Sequence, residues 1–292
     1  MSSNFIAKPA EVLAKVQSLH KFQRLNKNSR RALAENYLWF SNLSSFNDPF
    51  EGMVAYLPID HPGLIFSNMF MHEFNVPSKE EIRLRELHYR DERAFYAKYE
   101  KEYRDWYEEW ADRIRNKGYY CFFSTLIDCD NKSSEDEILM WGHYTDGMRG
   151  YRINFEPKVL LEGIGSDLDA YFIEYVDEPM KISLDSLYHE MNLSMSSGRY
   201  RVVEEERMFQ TKSSHWRYEA ELRFRKDEPG PWVCPKDSIR SVDFGYKMTG
   251  RQIAEVQRLV KRNNPSVRFY RALPSKTRFK VDIVPCLDMT GL

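Results

Sequence analysis

The chain has 292 residues, 42% hydrophobic and 30% charged, with 14% aromatic, a composition that excludes a disordered polymer and supplies enough apolar surface for a core. Lys plus Arg (43) balance Asp plus Glu (44), so no overall field recruits nucleic acid or a membrane surface, although a local basic patch stays open. Cys121, Cys129, Cys234 and Cys286 lack metal-ligand spacing, no apolar run reaches bilayer length and the N-terminus has no apolar leader core; the expectation is a cytoplasmic protein with free thiols and no membrane contact.

In chain order, residues 9–19 read as a short helix, with Val12, Leu13 and Val16 at helical spacing, and 20–25 as the first strand. Residues 29–35 read as a second helix and 37–41 as an aromatic strand. The stretch FNDPFEG at 46–52 is a turn whose Asn47 and Asp48 are explained by turn chemistry alone, while Phe46 and Phe50 pack it down. Ser78 and Glu81 form a capping box that opens a helical stretch running to Lys117. Along it Tyr96, Tyr99, Tyr103, Trp106, Trp110 and Ile114 recur at three- and four-residue steps. The section 61–117 therefore reads as a helical insertion, and its aromatic stripe as core, as a surface for a protein partner, or as a base-stacking platform.

Residues 119–125 are apolar until Ser124 and Thr125, as expected of a central strand buried on both faces. Ser134 and Glu137 mark the start of a short helix with Ile138, Leu139, Trp141 and Tyr144, closed by the glycines at 147 and 150. Strands are expected at 151–155 and 170–176, and mostly helix over 184–209. Further on, 239–244 reads as a strand, 249–262 as a helix capped by Thr249 and Gln252, and 267–273 and 278–284 as closing strands. The predicted class is α+β: a central mixed or largely antiparallel sheet flanked by helices, a single domain over 1–292 with the helical insertion within it.

The most informative stretch is 216–225. Its side chains alternate, with Tyr218, Ala220, Leu222 and Phe224 on one face and Arg217, Glu219, Glu221, Arg223 and Arg225 on the other. Read as one strand, it sets the two carboxylates roughly 6–7 Å apart on the polar face. Lining a cleft, such a pair orients a sugar hydroxyl and stabilises a developing positive charge; facing water, it is an ordinary edge strand. Phosphate-loop, dinucleotide-fold, zincin and nucleophile-elbow motifs are missing. What remains is a set of polar residues in aromatic surroundings: His20, Lys21, Ser41, Asn47, Asp48, Glu51, Ser124, Thr125, Trp141, His143, Tyr144, Glu219 and Glu221. His143 taken alone is more often a hydrogen-bonded core or surface histidine than a catalyst.

FNDPFE at Phe46–Glu51, LMWGHYTDGMRGYRINF at Leu139–Phe155 and W-x-Y-E-x-E-x-R at Trp216–Arg223 stand in the order of the prokaryotic Domain of Unknown Function 2971. The chain resembles that family, whose members resemble components of mobile or phage-defence loci. A second resemblance is to ADP-ribosyltransferases, through His20 to Arg24 early, Phe123-Ser124-Thr125 in the middle and Glu219-Ala220-Glu221 late; Leu126 departs from the Ser-Thr-Ser pattern.

That resemblance implies NAD as cofactor and an acceptor that is a protein or nucleic acid. Glu221 would stabilise an oxocarbenium-like ribose and engage its 2′-hydroxyl, Glu219 would orient or deprotonate the acceptor, and His143 completes the catalytic set. His20 or Arg24, with Lys21 beside them in the cofactor-binding set, would hold ribose or phosphate, and Tyr37, Trp39 or Tyr144 would stack on nicotinamide. Ser41, Asn47, Asp48, Ser124 and Trp141 complete the cofactor-binding set, with no metal required. The rival readings are a nuclease or phosphodiesterase using Asp48, Glu51, Glu219, Glu221 and His143 on a divalent metal, and a non-catalytic sensor or interaction module.

Overall fold

A computed structural model of the chain describes residues 9–57, 79–126, 134–164, 168–183 and 208–288. They fall into two compact units, one of Met1–Pro49, Asn116–Tyr175 and Lys212–Leu292, the other of Phe50–Arg115 and Val176–Thr211. In chain order the elements are α1 (Pro9–Leu13), β1 (Val16–Gln23), α2 (Lys27–Glu35), β2 (Tyr37–Phe40), β3 (Val54–Leu57), α3 (Lys79–Arg90), α4 (Glu92–Arg115) and β4 (Gly118–Leu126). There follow α5 (Ser134–Tyr144), β5 (Tyr151–Phe155), α6 (Pro157–Gly163), β6 (Asp169–Phe172), β7 (Glu174–Val176), β8 (Met180–Ser183) and β9 (Thr211–Ser213). The chain closes with β10 (Glu221–Lys226), β11 (Gly230–Val233), β12 (Ile239–Gly245), α7 (Gly250–Lys261), β13 (Arg268–Pro274) and β14 (Val281–Pro285).

The first unit is built on an eight-stranded sheet in the order β14-β13-β12-β5-β1-β4-β10-β6, which bears out the α+β class. Only β12 and β13 run parallel within it, and α7 makes the crossover that a parallel pair needs. The expected Thr249 and Gln252 capping box opens α7, which buries Ile253, Val256 and Val260. Side chains on one face of the sheet, among them Leu19, Phe122, Ile153, Leu222 and Phe244, form the main apolar core with α1, α2, α6 and α7. Met140 and Trp141 of α5 cover part of the opposite face, against Phe22 and Phe123. The remainder of that second face is polar yet buried: Arg152, Asn154, Glu221, Arg223, Arg225 and Asp243 are all at most 7% exposed.

The ladder between β1 and β4 is incomplete. It runs from Val16↔Leu126 to His20↔Phe123 and stops. Beyond that pair β1 continues with β5 as far as Gln23, and β4 continues with β10 as far as Gly118. The two strands part and the sheet opens. Further along β4, Tyr119 is bridged by Ser41 at the end of β2, with N–H to O distances of 2.8 and 2.9 Å in the two directions. β2 itself pairs with β11. At the end of β1 the α5–β5 connection comes so close that a Cβ on Gly150 would stand 2.1 Å from the Gln23 carbonyl oxygen, so glycine is required there.

In the second unit α4 is one continuous helix of 24 residues that pairs with α3 through edge-on rings of His88 and Phe95, 4.9 Å between centroids. β3 pairs with β8 in parallel, and Tyr56 donates to Glu108 at 2.5 Å. Of the expected insertion, 61–78 lies outside the described residues, as does most of the expected helix at 184–209.

Two expectations are corrected. The first helix ends at Leu13 and the strand already begins at Val16. Residues 216–225 are not one strand: Ser214–Glu219 is a 3-10 helix, Ala220 takes a left-handed conformation with φ 41°, and the strand starts at Glu221. Alternation of side-chain type reports burial, and a tight turn that buries the same side chains imitates it.

Candidate functional site

Where β1 and β4 part, a cavity of about 570 Å³ opens. Of the residues singled out from the sequence, Lys21, Arg24, Trp39, Ser41, Asn47, His143 and Tyr144 all line it. They come from four places: the end of β1, β2, the turn after it, and the last turn of α5. Lys21, Arg24 and Arg31 line the cavity, and no Asp or Glu does. Its aromatic lining includes Tyr37, Trp39, Tyr119 and Tyr144.

The opening of the ladder explains where Lys21 goes. Tyr119 turns both its backbone groups toward Ser41, so by the two-residue period Cys121 faces the same gap. Its carbonyl has lost a strand partner, and the Lys21 ammonium donates to it at 2.8 Å. The ammonium also lies 4.7 Å from the Tyr120 ring centroid. Burial pulls the pKa of Lys21 below its ordinary value, opposed by Cys121, Glu221 and Glu219.

Behind one wall stands a buried ionic chain. The Tyr144 hydroxyl donates to Oε1 of Glu219. Lys212 Nζ donates to Oε2 of Glu219 at 2.7 Å and to Oε2 of Glu221 at 3.3 Å. Arg223 Nε donates to Oε1 of Glu221 at 2.7 Å. Glu219 is 0% exposed and Glu221 2%, so neither acid itself lines the cavity; Tyr144 stands between. The left-handed Ala220 ends the 3-10 helix between the two carboxylates, which share the one ammonium.

The two acids are held differently. Burial raises Glu221, but Arg223, Lys212 and the Cys121 thiol outweigh it and leave the pKa at about 2. Glu219 is raised, burial first, with Lys212 opposing. Tyr144 is pushed far up by burial and by Glu219, so it remains a neutral phenol. On the outer side His143 Nδ1 meets the Tyr218 hydroxyl at 3.1 Å, and Lys212 Nζ rests 4.9 Å over the Trp216 ring.

Other expected residues lie elsewhere. His20, next to Lys21, alternates to the other face of β1, where Nδ1 meets Asn154 Oδ1 at 2.7 Å and Nε2 meets Ser18 Oγ at 2.9 Å. Asn154 in turn donates to Asp243 at 2.8 Å, and Arg152 Nε to the same carboxylate oxygen at 2.7 Å. Trp141 is a fully buried core residue set edge-on to Phe22 at 5.2 Å, and Asp48 is buried outside the cavity lining. Ser124 is placed on β4 by its pairing with Leu19. Among the described residues no three His, Cys, Asp or Glu side chains gather as a group that could hold a metal ion. No helix among them is long and apolar enough to cross a membrane.

Lys212 and Arg31 are the site residues that sequence reasoning missed. Lys212 stands four residues before Trp216, but a lone lysine beside two serines gives no sign that it is buried.

Residues 140–224 match the family model described as a protein of unknown function, DUF2971. This region runs from Met140 in α5 to Phe224 in β10 and holds every member of the Tyr144–Glu219–Lys212–Glu221–Arg223 chain. The Lys21, Arg24 and Trp39 wall of the cavity precedes it in sequence. No curated protein and no solved structure matches the chain.

Proposed function

We propose that the cavity takes a dinucleotide of the NAD type and that the chain transfers the ADP-ribosyl group to an acceptor, as ADP-ribosyltransferases do. One observation carries the reading: a cavity at a parting of the sheet, lined by three cations, several aromatic rings and no carboxylate, with a buried acid one side chain behind its wall. Cations without competing acids suit a diphosphate, and aromatic rings suit flat bases. A volume of about 570 Å³ falls in the range of small-molecule sites.

The residues divide the work as follows. Lys21 and Arg24 hold phosphate, and Trp39 offers a ring to the base. Tyr144 commits its proton to Glu219 and so turns an oxygen lone pair toward the cavity, where it accepts a hydrogen bond from a hydroxyl of the ligand or acceptor. In the transfer the bond from C1′ to the nicotinamide nitrogen breaks and its electron pair leaves with nicotinamide, while a bond from C1′ to the acceptor forms. The acceptor's proton passes to Tyr144 as Tyr144 passes its own to Glu219. The Glu219 carboxylate supports the positive charge that develops on the ribosyl carbon. Glu221, clamped by Arg223, anchors the pair.

The test is release of nicotinamide from NAD by the purified chain, followed by chromatography in EDTA. Glu219→Gln is expected to lower kcat about 100-fold or more while ligand affinity is kept. Wild-type turnover in that variant, or no turnover by the wild type with any protein or nucleic-acid acceptor, rejects the reading.

A further inference from the structure

Three buried features compete as unexplained: the His20–Asn154–Asp243 network, the Lys21 ammonium in the opening, and Lys212. The first is a closed set of satisfied partners and the second already belongs to the cavity lining. Lys212 is different. It is a lysine 9% exposed, placed by β9 between one acid at the end of the following 3-10 helix and another at the start of β10.

We infer that Lys212 is the positioning residue of this site: its ammonium, seated between Glu219 and Glu221, keeps the Glu219 carboxylate charged and aimed at Tyr144. The inference rests on the transferase reading for its consequence in catalysis, and on geometry for the rest. Each acid has one oxygen on Lys212 and the other on a group of its own, Tyr144 for Glu219 and Arg223 for Glu221. Remove the ammonium and the two carboxylates share a dry space with the Arg223 guanidinium, which lies on Glu221, and with the Lys21 ammonium, which lies on the Cys121 carbonyl. Like charges so placed do not both stay ionised, and Glu219 is the one that takes the proton. A protonated Glu219 donates to Tyr144 where it accepted before. The phenol is then reversed, its oxygen no longer free for the cavity, and no base remains behind it.

The charged and titratable groups that face Glu219 are Lys212 on β9, Tyr144 on α5, Glu221 on β10, Lys21 on β1, and its own neighbour Tyr218, with Arg223 on β10 paired to Glu221 beside them. Tyr175 lies on the same side, its hydroxyl accepting from the Glu221 amide at 2.8 Å. Lys212 lies against Glu219 itself at 2.7 Å, and burial pushes the Glu219 carboxyl up while Lys212 opposes.

The experiment follows the Glu219 side chain directly, by carbon NMR of labelled glutamate carboxyls, with the resonance assigned by its loss in Glu219→Gln. In Lys212→Met its titration midpoint is expected to rise by about one unit or more, and in Lys212→Arg to stay near wild type. In the double variant Lys212→Met with Glu221→Gln the like charge is gone, and the midpoint is expected to return toward wild type. Nicotinamide release should fall about 100-fold in kcat for Lys212→Met with KM changed little, its acid limb moved up with the Glu219 midpoint, and recover in Lys212→Arg. An unmoved Glu219 midpoint in Lys212→Met, or in Lys212→Arg and the double variant a midpoint as high as in the Met variant, overturns the inference. A wild type that releases no nicotinamide but shows the expected shifts sustains the role of Lys212 and rejects the transferase reading instead.

Discussion

Tyr144 and Glu219, 75 residues apart in sequence, share a hydrogen bond that joins the cavity to the buried acids. The phenol lines the cavity and the carboxylate does not. A ligand therefore meets Glu219 through the Tyr144 hydroxyl, while Lys21 and Cys121 in the lining couple it to the acids as well.

Glu221 should reveal itself in stability at low pH. Its folded pKa of about 2 lies below the ordinary 4.5, so its contribution is complete above pH 4.5 and is lost as the pH falls through that window toward 2. The size is of order 3 kcal/mol. Glu221→Gln leaves Arg223, which is 0% exposed, without its anionic partner, and is expected to cost about 3–5 kcal/mol at neutral pH. Urea melts between pH 2 and 7 check both points: the stability gap between wild type and variant should close as the pH approaches 2. A gap that stays constant over that range would show that the carboxylate's ionisation is not what stabilises the fold.

Lys21 is expected to decide affinity. Its ammonium lies in the opening of the sheet with Cys121 O as its protein acceptor, and a diphosphate is the stronger partner. Lys21→Met should weaken binding of ADP-ribose by about 10- to 100-fold, the scale of one charge-assisted hydrogen bond, with far-UV dichroism unchanged. Titration calorimetry at fixed salt measures it. Unchanged affinity would remove Lys21 from the ligand.

The polar network around Asp243 makes the opposite prediction. Arg152 and Asp243 pair at 2.7 Å with side chains 9% and 2% exposed, so Asp243→Asn should cost about 3–5 kcal/mol and leave ligand affinity within twofold. His20→Phe should cost about 1–3 kcal/mol by stranding Asn154, again without effect on affinity. A tenfold loss of affinity in His20→Phe with stability intact would return His20 to the ligand site.

Much of the local structure was legible in advance. The strand Tyr151–Phe155 and the capped helix after Thr249 agree with their expected bounds to within a residue, because caps and glycines act over three or four positions. The alternation at 216–225 misled, because Ala220 in a left-handed turn has no signature that a strand alanine lacks. His20 and Lys21 were grouped together, yet neighbours on a strand face opposite sides, and that much the sequence could have told.

By itself, then, the sequence determined many of the described helices and strands, though not the 3-10 turn before Glu221, that the chain has an α+β core, and that acids, cations and aromatic rings are present in quantity for a polar site. Which of them meet was decided by tertiary structure alone. The parting of β1 from β4 after His20 makes the cavity, and Glu219 and Glu221, on either side of the left-handed Ala220, share Lys212. Strand pairing over a hundred residues and the neutralisation of buried charge are long-range balances, and no window of neighbouring residues contains them.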